Sequence, residues 1–169
     1  MADDGFGRMT SRGGAAAVIG AGTWGTALAV QLGRSGMAVR LWARDPAMAR
    51  AIGAARENRR YLPDVPLPES VVATADHLEA LDGSDLVVLA VPSHFLRGVL
   101  QPMADAIPRG TVLLSATKGL EPSSALRTSE LLGQVVPGRP VAVLSGPSFA
   151  REVALGKITA LVVASRMPA

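Results

Sequence analysis

The sequence predicts an α/β fold: a doubly wound, mostly parallel sheet of six to seven strands with helices on both faces. Three observations carry that expectation. Short continuous runs of Val, Leu, Ile and Ala recur without polar alternation, as in strands covered on both sides. Stretches of helical spacing separate them, which implies right-handed crossovers between parallel strands. The chain has 169 residues, 49% of them hydrophobic, which suits one ordinary domain with a sizeable core.

The elements follow in order. Residues 1–14 show no hydrophobic period and end in a Gly pair, so a disordered N-terminal tail is expected there. A strand at 15–20 leads into a helix at 23–35, which Gly36 stops. A strand at 39–43 precedes a helix at 46–55, capped by Asp45 and opened by Pro46. Residues 58–70, with Pro63, Pro66 and Pro68, read as an ordered but irregular excursion before a strand at 71–74. Further strands are expected at 86–91, 111–115, 141–145 and 158–164. Helices at 93–106 and 123–132, each opening on a capping residue, and a short one at 148–155 lie between them. No repeat or domain boundary interrupts residues 15–164.

Composition removes several function classes. Without cysteine there is no disulfide scaffold, cysteine nucleophile or thiolate metal site, and two histidines are too few for a histidine-rich metal centre. The pI of 10.2 sounds basic, but the formal net charge is only +3 and the basic residues are dispersed. With 4% aromatics there is no stacking platform, so no nucleic-acid partner is expected. The densest basic stretch, Arg56, Arg59 and Arg60, reads as a solvated loop. The apolar stretch 15–30 is broken by Gly20, Gly22 and Gly25 and is shorter than the roughly 20 residues of a membrane span. Asp3 and Asp4 also spoil a signal-peptide start, so a cytoplasmic protein without membrane insertion is expected.

In a doubly wound sheet, ligands bind beyond the carboxyl ends of the strands, where the strand order reverses. The unusual residues of this chain follow those ends. Gly20-Ala21-Gly22-Thr23-Trp24-Gly25 lies between a strand and a helix, as in the Rossmann-like dinucleotide fingerprint. There the first Gly makes a tight turn, the second admits the pyrophosphate to the backbone, and the third lets helix and strand pack closely. The alternative phosphate loop GxxxxGK[ST] is absent. Trp24 has two readings, lying over the cofactor or packing beneath the helix.

Arg44, 19 residues beyond Gly25, occupies the position where NAD sites place an acid for the ribose and NADP sites an Arg for the 2′-phosphate. NADPH is therefore expected as the preferred cofactor, with NADH as the other choice; the plain reading of Arg44 is a surface arginine. Pro92 fixes a strand exit, and Ser93 either caps the next helix or bonds the cofactor. Ser93-His94 has no matching carboxylate for a nucleophilic triad, and His94 reads as a helix residue. Lysine occurs only at Lys118 and Lys157, against 15 arginines. Lys118 closes a strand ahead of Gly119, where it can stabilise charge on a carbonyl oxygen or bind an anionic group, or serve as an ordinary turn lysine. Gly146 permits close backbone approach, and Ser148 is read equally as turn chemistry or as a ligand contact.

Taken in order, GAGTWGTAL (20–28), NRRYLP (58–63), AVPS (90–93), ATKGLE (116–121) and SGPSFA (145–150) resemble the bacterial NAD(P)-dependent glycerol-3-phosphate dehydrogenase family. The likeness runs from about 15 to 165. It implies reduction of dihydroxyacetone phosphate to sn-glycerol 3-phosphate for phospholipid synthesis. It places Thr23, Trp24, Arg44, Tyr61, Lys118 and Ala150 along the cofactor, and Lys118, Gly146 and Ser148 against the substrate. Family members continue into a helical domain that holds the principal catalytic lysine. Residues 15–169 are therefore expected to be the NAD(P)-binding domain alone, inactive by itself, from an enzyme that can be a homodimer. Other readings are the cofactor domain of a hydroxyacid or ketopantoate reductase, against which ATKGLE and SGPSFA speak, and a non-catalytic NAD(P)-sensing module.

Overall fold

The apolar runs assemble into a seven-stranded sheet in the computed structural model, which describes residues 13–166. The strands are β1 (Ala15–Ile19), β2 (Ala38–Trp42), β3 (Glu57–Asn58), β4 (Leu62–Pro66), β5 (Val71–Thr74), β6 (Leu86–Leu89), β7 (Val112–Ser115), β8 (Val141–Ser145) and β9 (Val162–Ser165). The helices are α1 (Thr23–Arg34), α2 (Pro46–Ala55), α3 (His77–Leu81), α4 (Ser93–Leu100), α5 (Thr128–Val135) and α6 (Ala150–Ala154). The main sheet has the order β5-β2-β1-β6-β7-β8-β9, while β3 and β4 form a separate antiparallel hairpin. From β1 the order runs outward in both directions, so it reverses between β1 and β6. That is the switch point where a crevice opens.

The absence of polar alternation in the strands has its cause in two cores. On one face, Val18, Leu41 and Val88 pack with Val30 of α1, Ile52 of α2, Val65 of the hairpin and Ala154 of α6. On the other, Ile19, Leu89 and Leu113 pack with Leu81 of α3, Leu96 and Leu100 of α4, and Leu131 and Leu132 of α5. Successive residues of β1 enter opposite cores, so each must be apolar.

Local signals hold where the chain bonds to itself nearby. Asp45 accepts from Ala47 N at 2.9 Å, the N-cap expected of it. Gly36 takes φ +92° just beyond α1. Elsewhere the elements differ from expectation. The helix expected at 93–106 changes at Gln101 to a 3-10 helix (Gln101–Ala106), because Pro102 has no N–H to donate. The helix expected at 123–132 lies instead at α5, because residues 121–126 close a turn in which Ala125 takes φ +56°. The last strand is shorter than 158–164 and runs antiparallel, so the sheet is mixed at that edge. The β3–β4 hairpin starts at Glu57 and takes up much of the excursion expected at 58–70, and α3, capped by Asp76, lies in a stretch to which the sequence assigned no element. Of the expected tail, residues 1–12 lie outside the described residues, whereas Gly14 O accepts from Ala38 N at 3.1 Å and belongs to the sheet's margin.

Leu96 is fully buried between α4 and the sheet. Leu96→Ala is expected to lower stability by about 2–5 kcal/mol. Urea denaturation should show this as a lower midpoint with an unchanged slope.

Candidate functional site

The crevice is built from the glycine turn upward. Gly20 takes φ +115°, and its N–H donates to Trp42 O at 3.1 Å. A Cβ there would stand 2.7 Å from Ala90 O, so the turn is pressed against the exit of β6. A Cβ on Gly22 would meet nothing within 4 Å. A Cβ on Gly25 would stand 1.9 Å from Gly20 O, so only glycine lets α1 approach the turn that closely. Gly22 is the N-cap of α1, no side chain caps the helix, and its first turn holds no acidic residue. The first-turn amides and the positive end of the helix dipole therefore meet open space at Gly22. That arrangement can receive an anion through the backbone.

Around this turn the sequence-derived positions fall on neighbouring loops. Thr23 is exposed, while Trp24 is half-buried and packs, like Ala150 of α6, against the first-face core. Arg44 is exposed at the exit of β2, with its guanidinium 5.8 Å from the Phe95 ring on α4. Phe95 is 48% exposed and its ring centroid is 4.0 Å from that of His94. Arg44 and Phe95 thus connect the exits of β2 and β6 across the switch point. Phe95 escaped sequence reasoning, although its place off the buried Leu96–Leu100 stripe was a usable signal.

Pro92 is the N-cap of α4 and Ser93 its first residue. The capping role considered for Ser93 is therefore not the one it has, because its position lies one residue inside the helix. Tyr61 is exposed on the hairpin, with the Arg60 guanidinium 5.2 Å from its ring. Arg56 is not a solvated loop residue: it closes α2 in the left-handed region and donates to Val71 O, Leu67 O and Pro68 O.

On the other side of the switch point, the single hydroxyl hydrogen of buried Thr117 is shared between Val91 O at 2.9 Å and Leu89 O at 3.1 Å, joining the exits of β6 and β7. Lys118 follows, exposed, and together with Gly146 it lines a groove of about 1030 Å³ beside α5 and β8. Gly146 takes φ +148°, and a Cβ there would stand 2.8 Å from Ala160 O. Ser148 is half-buried between β8 and α6 and lies outside the groove's lining.

The Lys118 loop is anchored by Glu121, a buried carboxylate. Arg97 of α4 donates to it from Nε at 2.7 Å and Nη2 at 2.8 Å, and the Ser124 hydroxyl donates as well. Hydrogen bonds from Arg97 and then Ser124 favour the charged form and lower the Glu121 pKa from 4.5 to about 2. Among the described residues no three His, Asp or Glu side chains form a metal-holding group, and no helix is long and apolar enough to cross a membrane.

Comparison with known proteins adds a family. The model described as NAD-dependent glycerol-3-phosphate dehydrogenase N-terminus matches residues 15–169. A relative from Corynebacterium glutamicum, named glycerol-3-phosphate dehydrogenase (NAD(P)+), is 47% identical over 149 residues, 87% of this chain and 45% of its own length. One of the same name from Halorhodospira halophila is 50% identical over 150 residues, 88% of this chain and 45% of its length. The chain thus spans about half the length of these curated relatives. The crystal structure of glycerol-3-phosphate dehydrogenase from Coxiella burnetii matches with a TM-score of 0.87 and 37% identity, over 92% of this chain and 47% of that one. A ketopantoate reductase from Ralstonia eutropha, at 24% identity and a TM-score of 0.62 over 80% of this chain and 42% of that one, shares the fold alone.

Because the Glu121 pKa is lower in the folded chain, its stabilising effect is complete above pH 4.5 and is lost as pH falls toward about 2. Glu121→Gln should lower stability at neutral pH and flatten its decline across that window. Urea midpoints measured from pH 7 down to pH 2 check this, and an unchanged acid slope counts against the anchor.

Proposed function

The chain belongs to the NAD-dependent glycerol-3-phosphate dehydrogenase N-terminus family, and on that premise we propose that residues 15–169 form the NAD(P)-binding domain of an enzyme interconverting dihydroxyacetone phosphate and sn-glycerol 3-phosphate. The observation that carries the proposal is the division of labour among three glycines: Gly20 turns, Gly22 faces open space and Gly25 admits the helix. A dinucleotide fits that cradle, since an uncapped helix start and a missing Cβ leave backbone amides open to a diphosphate. In this reading Gly20, Gly22, Thr23, Trp24 and Gly25 hold the diphosphate, while Tyr61, Pro92 and Ala150 border the rest of the cofactor.

Arg44 is assigned to a 2′-phosphate, which makes NADPH the preferred cofactor. Asp45 supports this, because its carboxylate is engaged in capping α2. When bound, the nicotinamide supplies a hydride to the ketone carbon, while the ketone oxygen takes up a proton. Lys118 binds the substrate side and opposes the negative charge that develops on that oxygen. Gly146 offers backbone at close range, and Ser148 orients the substrate. The rest of the site, including a further catalytic lysine, is assigned to the part of the relatives' length that this chain does not span. Dimer formation belongs to the same full-length proposal, as does a cytoplasmic setting.

Titration of the chain with NADPH and NADH tests the cofactor. NADPH is expected to bind about tenfold tighter, and Arg44→Ala to bring the two within about twofold. Equal affinities in the unsubstituted chain, unmoved by the substitution, would remove the 2′-phosphate assignment. On a protein of the relatives' full length, Lys118→Ala should lower dihydroxyacetone phosphate reduction by about 10²–10³-fold with little change in NADPH affinity. Unchanged turnover would argue for a sensing module instead.

A further inference from the structure

We propose that Asn58 is a positioning residue for the phosphate-binding turn, setting the direction of the Gly22 amide; this rests on the dinucleotide reading above. Asn58 is 1% exposed and sits on the two-residue strand β3. Its Nδ2 donates to Ala21 O at 3.0 Å and to Thr26 Oγ1 at 2.7 Å. Its Oδ1 accepts from Tyr61 N at 3.3 Å. Both amide hydrogens are therefore used, one on the glycine turn and one on the first turn of α1.

The geometry of a trans peptide turns this bond into an aiming device. The carbonyl of Ala21 and the N–H of Gly22 belong to one rigid plane and point in opposite directions. Asn58 draws the carbonyl toward the hairpin, so the Gly22 N–H of the same plane points the opposite way, and a Cβ on Gly22 would meet nothing within 4 Å. The bond to Thr26 secures the same side chain to the helix whose start faces the anion. Thr26 N also donates to Gly22 O at 2.9 Å, so the peptides on both sides of Gly22 are tied down. Without Asn58, the buried Ala21 carbonyl lacks its partner, and rotating the 21–22 plane becomes a way to find another.

The test uses this chain, two probes and two variants. NADPH carries the diphosphate; adenosine 2′-monophosphate carries the adenine, ribose and 2′-phosphate without it. Asn58→Ala and Asn58→Asp both delete the two donors, and only the second adds charge. Both are expected to weaken NADPH about tenfold or more, and adenosine 2′-monophosphate less than twofold. Unchanged NADPH affinity, or equal weakening of both probes, overturns the positioning role. If neither variant folds, the unsubstituted chain decides: its Gly22 amide resonance should move with NADPH and stay still with adenosine 2′-monophosphate, and a Gly22 amide indifferent to bound NADPH overturns the proposal. An unsubstituted chain that binds neither probe sinks the dinucleotide reading itself, and this inference with it.

Discussion

The contact between Gly25 and the carbonyl of Gly20 is the constraint on which the rest of the crevice depends. A side chain at position 25 would stand 1.9 Å from that oxygen, so the start of α1 lies against the end of β1 with no spacer. A helix set back by one methyl group would carry its dipole away from the rim, and an electrostatic effect confined to the first turn would miss the crevice. The β1 turn cannot yield either, because Gly20 is itself pressed against Ala90. Three backbones from β1, α1 and β6 therefore meet where larger residues would hold them apart.

Two buried polar anchors extend that rigidity outward, one on each side of the switch point. Asn58 joins the hairpin to the glycine turn through neutral hydrogen bonds. Glu121 joins the Lys118 loop to α4 through a bidentate ion pair. The second is electrostatically stronger but leaves Arg97 partly exposed at 36%, so solvent screens it. Both tie a loop that carries candidate site residues to an element packed on the sheet. Loops held in this way present their side chains with less freedom than ordinary surface connections.

What the sequence disclosed divides along the range of the interactions. Asp45 capping α2 and Gly36 ending α1 follow from bonds a few residues long, and both were legible. The glycine fingerprint was legible because two of its positions, Gly20 and Gly25, answer to a backbone requirement that no other residue meets. The two groups that accept from the Asn58 amide lie 37 and 32 residues away, so its hold on the glycine turn had no local trace. Glu121 shows how a local signal can mislead. Ser123 looks like a helix start, but its neighbour Ser124 bonds the Glu121 carboxylate and the helix waits until Thr128. Ser93 misleads similarly, since the strand exit sets the helix start one residue earlier than its hydroxyl could cap.

The chain has two tryptophans and one tyrosine, and all three occupy this neighbourhood. Trp24 stands in the first turn of α1, and Trp42 closes β2 with its indole N–H on Ala75 O. Tyr61 rides on the hairpin that Asn58 fastens to the glycine turn. The intrinsic ultraviolet emission of the molecule thus originates almost wholly at the rim. Without any label, a change in its colour or brightness reports on the mouth of the crevice while the remainder of the protein stays dark.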